Sequence, residues 1–133
     1  MGADKKTILV VEDECMAITL SKMFFEMLGY QTEHADDGDK AVKLAKEKQY
    51  AGIYMDIGLP TMSGLDACLA IREHEINNNL PQVPIIAVTG NCSPDEVEKY
   101  MTAGMQDVIS KPFTKDKAEH FVSLLEMNDS NES

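Results

Sequence analysis

Residues 7–11, Thr-Ile-Leu-Val-Val, form an unbroken apolar run. Such a run predicts a strand covered on both faces. From Glu12 the spacing becomes helical and reaches about Leu28, with Met16, Leu20, Met23, Phe24 and Met27 recurring along it. Gly29 then stands where a helix-ending glycine belongs. Residues 31–35 (QTEHA) predict a more polar strand, and 36–50 a second helix with Ala41, Leu44 and Ala45 on one side. The alternation continues through a strand at 51–55 and a Gly/Pro-rich loop at 57–64 to a helix at 65–76. A polar connection (77–83) leads to an apolar strand at 84–88. The next helix opens on Ser93-Pro94 and closes at Gly104. A fifth strand at 106–110 and a fifth helix at 114–127 complete the pattern.

Five strands alternating with five helices predict an α/β fold, a parallel sheet with helices on both faces. The apolar first, third and fourth strands belong at the centre and the polar second at an edge. That gives the order 2-1-3-4-5, a doubly wound, flavodoxin-like (βα)5 three-layer sandwich. A dinucleotide-binding half is disfavoured, because Glu-Asp-Glu rather than a glycine-rich turn follows the first strand. The expected organisation is an N-terminal extension at 1–6, one domain at 7–127 and a flexible acidic tail at 128–133.

The 133 residues suit one domain, and a 44% hydrophobic content supports a core without staples. Acidic residues number 23 against 12 basic ones, a formal charge of −11. That charge argues against nucleic acid and anionic membranes as partners. Cys15, Cys68 and Cys92 are scattered, without a CxxC pair, as expected of reduced thiols in a cytoplasmic protein. No run approaches membrane-spanning length. The nine methionines read as core filling, and His34, His74 and His120 as surface or half-buried residues.

In a doubly wound sheet, ligands bind beyond the carboxyl ends of the strands. Those ends carry Glu12 and Asp13, then Asp56, then Thr89 and Gly90, then Ser110, Lys111 and Pro112. Converging carboxylates repel, and a divalent cation relieves the repulsion. Oxygen ligands that leave room for water and phosphate suit Mg2+, and Mn2+ is an acceptable substitute. Lys111 adds a positive charge and Thr89 a hydroxyl. Together they favour a phosphoryl group passing to or from Asp56, with the carboxylate as nucleophile.

The segments VVEDE, YMDIGLPTMSG, PIIAVTGN and AGMQDVISKPF, in this order, closely resemble a response-regulator receiver domain. The resemblance implies that Asp56 is the phosphoacceptor and that Glu12 and Asp13 bind magnesium. It implies that the Gly58 carbonyl completes the metal site. Thr89 corresponds to the switch hydroxyl and Lys111 to the lysine that pairs with the phosphoryl group. Gly90, Asn91, Val108 and Pro112 occupy switch and tuning positions, with a cis bond expected at Lys111–Pro112. Two departures follow: Val108 replaces an aromatic signalling residue, and Gly58 has no side chain to orient attacking water. Segments such as MDIGLP resemble receivers attached to hybrid histidine kinases, so the chain is expected to be such a receiver or a single-domain regulator. Implied partners are a histidine kinase or His-phosphotransfer protein and a downstream protein reading the fourth helix, fifth strand and fifth helix. A monomer or weak dimer is expected. The competing readings are a magnesium-dependent aspartyl-phosphate phosphohydrolase and a scaffold that no longer takes phosphate. The first lacks the second Asp that such hydrolases place two residues after the nucleophile, where this chain has Gly58.

Overall fold

The computed structural model describes the backbone of residues 6–59 and 61–132, and side chains as far as residue 127. Residues 1–5 of the expected N-terminal extension, Pro60 and Ser133 lie outside the described residues. The strands are β1 (Thr7–Val11), β2 (Gln31–Ala35), β3 (Gly52–Asp56), β4 (Ile85–Thr89) and β5 (Asp107–Ser110). The helices are α1 (Cys15–Met27), α2 (Gly38–Glu47), α3 (Gly64–Asn77), α4 (Pro94–Thr102) and α5 (Lys115–Glu132). All strand pairs are parallel, in the order β2-β1-β3-β4-β5.

Alternation along the central strands divides the core into two layers, because successive side chains point to opposite faces. Ile8, Val10, Tyr54, Ile86 and Val88 face one side and pack on Phe25 of α1 and on Ala118, Phe121 and Leu125 of α5. Leu9, Val11, Ile53, Met55, Ile85 and Ala87 face the other, against α2, α3 and α4 through Ala41, Ala67, Cys68, Ile71 and Tyr100. β2 is more polar because it is an edge, buried fully only at Ala35.

Three local expectations need correction. Met16, Met23 and Met27 are 62%, 44% and 59% exposed, so they are not core residues. α1 is apolar over much of its circumference, and periodicity alone could not choose its inner face. Tertiary packing chose Ser21 and Phe25. Glu12 and Asp13 are not part of α1; Glu14 caps it, accepting from the amides of Met16 and Ala17. The backbone of α5 continues to Glu132, past Met127, since extending an existing helix needs no new nucleus. Gly29 (φ 94°) and Gly104 (φ 107°) end α1 and α4 in the left-handed region that glycine enters without a Cβ penalty.

Candidate phosphoryl-transfer site

The carboxyl ends of β1, β3, β4 and β5 form the rim. Asp56 is the last residue of β3 and is 2% exposed. Thr89 and Ser110 likewise end their strands and pair with each other across β4 and β5. Glu12 and Asp13 follow β1 in the turn before α1. Glu12 is 1% exposed, whereas Asp13 is open to solvent. Ligand oxygens of Glu12, Asp13 and Asp56 lie within 4.8 Å of one another. α3 starts so close beneath β3 that a Cβ on Gly64 would stand 2.5 Å from the Asp56 carbonyl oxygen.

Lys111 reaches the same point from the β5–α5 loop. Its Nζ lies 2.9 Å from Asp56 Oδ1, which also accepts the Gly58 amide at 3.2 Å. The Lys111 amide donates to the Thr89 carbonyl at 2.8 Å, which continues the β4–β5 ladder past Ser110. The Lys111–Pro112 peptide is cis. Thr89 Oγ1 accepts the Asn91 amide at 3.1 Å, and its own hydroxyl has a weak acceptor in the Asn91 carbonyl at 3.5 Å. At the edge of hydrogen-bond range that hydroxyl gives up little by turning elsewhere. Gly90 and Asn91 are exposed, and Val108 is half-buried against the α2–α4 side of the core.

The electrostatics are those of a site with too much negative charge. Burial and then the charge of Asp56 push the Glu12 carboxyl upward, against the hydrogen bonds that favour its ionised form. For Lys111, burial works to lower the pKa; the hydrogen bond and charge of Asp56, with Glu12 and Asp13, outweigh it and the net shift is upward. The ammonium therefore stays charged as the fixed cation among three carboxylates.

Two contributors escape a reading of strand ends. The Tyr54 hydroxyl donates to Glu12 Oε1 at 2.9 Å from a buried position on β3. Burial, then the charge of Glu12, drives its phenol far upward, so it remains a donor. Its signal in the sequence is the two-residue offset from Asp56, which puts both on one face of the strand. His34 Nε2 lies 3.0 Å from the Glu12 carbonyl oxygen, which links edge strand β2 to the same turn. No spacing rule announces that contact.

The profile for "Response regulator receiver domain" matches residues 8–123. The chain is 34% identical over 109 residues to Transcription factor SKN7 of Candida albicans, covering 82% of this chain and 19% of that protein. It is 36% identical over 114 residues to the CAI-1 autoinducer sensor kinase/phosphatase CqsS of Vibrio cholerae, covering 84% and 16% respectively. The chain thus spans less than a fifth of these curated relatives. Among solved structures it is similar to the receiver domain of a sensor histidine kinase from Pseudomonas aeruginosa PAO1, with TM-score 0.78 and 34% identity. That match covers 92% of this chain and 95% of the other, whose active site cleft holds a coordinated magnesium ion. Fold, rim chemistry and relatives agree: the chain belongs to the response regulator receiver domain family, the phosphoacceptor modules of two-component signalling.

Proposed function

We propose that Asp56 accepts a phosphoryl group from a phosphohistidine on a histidine kinase or phosphotransfer protein, with Mg2+ bound beside it. The observation that carries this reading is Lys111 Nζ at 2.9 Å from Asp56 Oδ1, within a group of three carboxylates whose oxygens approach to 4.8 Å. The donor set fits magnesium: hard oxygens, an exposed Asp13 open to water, and a buried Glu12 already strained by its neighbour's charge. Glu12, Asp13 and Asp56 would hold the ion, with the Gly58 carbonyl as a further ligand. When bound, the ion supplies charge neutralisation for the phosphoryl oxygens.

The chain's own residues supply the rest. Asp56 presents a carboxylate oxygen in line with the P–N bond of the donor; the P–O bond forms as that bond breaks, and the imidazole leaves with the electron pair. Lys111 exchanges its carboxylate partner for a phosphoryl oxygen. The added charge of about −1.5 to −2 draws the weakly held Thr89 hydroxyl inward. Gly90 and Asn91 follow it, and the α4–β5–α5 surface presents a different packing to a downstream partner. Val108 is too small to act as an aromatic pointer, so the signal travels through the β4–α4 loop. Manganese fits the same oxygen ligands. A stand-alone regulator and the receiver part of a hybrid kinase use this site identically.

The phosphohydrolase alternative is not favoured, because Gly58 offers no general acid where one is needed. The decisive test is acetyl phosphate with Mg2+, read by intact mass. The chain should gain one phosphoryl group, and Asp56→Asn should gain none. Labelling of that variant at the parent's rate would refute the assignment.

A further inference from the structure

Lys111 has a problem of aim. Its side chain is 42% exposed, so packing around the stem holds the ammonium on Asp56 only in part. The rest of the direction has to come from the backbone of the β5–α5 loop. One side of that loop is fixed by the Lys111 amide on the Thr89 carbonyl, at 2.8 Å. The far side is fixed by Phe113, whose ring stands edge-on to Tyr54 at 5.0 Å and 5.6 Å from Phe25. The carbonyls of Ser110 and Pro112, the residues on either side of Lys111, lie next to these two anchors.

One side chain holds both. Lys117, in the first turn of α5, places Nζ 2.8 Å from the Ser110 carbonyl, 3.0 Å from Ser110 Oγ and 3.0 Å from the Pro112 carbonyl. An ammonium has three donors, and here three acceptors from two residues surround it. The position is otherwise a poor one for a cation, because helix N-termini favour acids. Reaching back across the loop offsets that unfavourable placement.

The geometry points to Lys117 as a positioning residue for phosphoryl transfer: it clamps the carbonyls flanking Lys111 and so sets where the Lys111 ammonium meets Asp56. This role rests on the assignment of Lys111 in the preceding subsection. It predicts a specific division of labour. Glu12 and Asp13 follow β1 and Asp56 ends β3, so the clamp does not touch the carboxylate group. Misplacement of a reacting group by about 1 Å costs up to a hundredfold in rate, and a loosened loop falls short of that.

The experiment compares Lys117→Met, Lys117→Arg, Lys111→Ala and the double variant Lys111→Ala/Lys117→Met, with acetyl phosphate as donor and magnesium affinity measured separately. Lys117→Met should slow phosphorylation about tenfold and leave magnesium affinity unchanged. Lys117→Arg, which keeps charge and donors, should restore part of the rate. In the Lys111→Ala background, Lys117→Met should add no further loss, since a residue acting through Lys111 has nothing left to position. Independently of turnover, the Lys111 ammonium signal in lysine-selective 1H–15N spectra should weaken in Lys117→Met. Parent rate and an unchanged Lys111 signal in Lys117→Met would overturn the proposal, as would a second tenfold loss in the double variant. Parent-like phosphorylation of Lys111→Ala would instead overturn the assignment of Lys111, and with it the clamp's purpose.

Discussion

Replacing Tyr54 by Phe removes one hydroxyl and leaves the ring. The ring is fully buried and stands edge-on to Phe113 at 5.0 Å and 88°, a contact that phenylalanine keeps. What disappears is the 2.9 Å hydrogen bond to Glu12 Oε1. Glu12 Oε2 retains the longer bond from the Glu14 amide at 3.2 Å. Without the phenol, Glu12 loses the stronger of the two hydrogen-bond donors that favour its charged form and fix its orientation. A hydrogen bond to a charged group is worth about 1.5–3 kcal/mol. At about 1.4 kcal/mol per decade, that corresponds to roughly a tenfold to hundredfold fall in affinity. Loss of an outer hydrogen-bond partner of a metal ligand falls in the same range. Tyr54→Phe should therefore bind Mg2+ at least about tenfold more weakly at neutral pH, with its global fold intact. A magnesium titration followed by backbone amide shifts in 1H–15N spectra measures both at once. Parent-like affinity in a parent-like spectrum would show that the phenol does not orient Glu12 for a cation.

Other perturbations test neighbouring parts of the structure. Glu12 has its carboxyl raised above the ordinary value of 4.5, so the folded state holds more protons than the unfolded one above that pH, and stability falls as pH rises through the window up to the raised value. Without metal, Glu12→Gln should thus melt higher than the parent at neutral pH and lose the stabilisation that Mg2+ gives the parent, as read by calorimetry; a lower melting point without metal would contradict the charge argument. Arg72 and Glu75 form a buried pair at 2.8 Å, and Arg72 also holds the Gly104 carbonyl at the end of α4 through Nε and Nη2 at 3.0 and 2.8 Å. Arg72→Met leaves Glu75 buried and should cost about 3–5 kcal/mol in denaturant unfolding, whereas a loss under about 1 kcal/mol would place the pair among weak surface contacts. Gly64→Ala forces a Cβ against the Asp56 carbonyl oxygen and the Ile57 Cα, 2.5 and 3.0 Å away. Backbone cannot yield as a side chain can, so it should destabilise by about 1–3 kcal/mol and slow phosphorylation; neutrality in both assays would refute the tight β3–α3 junction.

The order and type of the elements were legible in the chain because local periodicity carries them. Apolar runs at 7–11 and 84–88 suit strands covered on both faces, and a polar QTEHA run suits an edge. Strand ends then mark the rim, so Asp56, Thr89 and Lys111 could be named before any geometry. Tertiary structure alone decided what depends on directions across long separations. It chose Phe25 over the methionines as the inner face of α1, set the Tyr54 hydroxyl on a carboxylate 42 residues away and closed Lys117 over the loop that aims Lys111. Periodicity reports how often a side chain returns to one side of its own element; which atoms meet there is fixed by the packing of other elements against it.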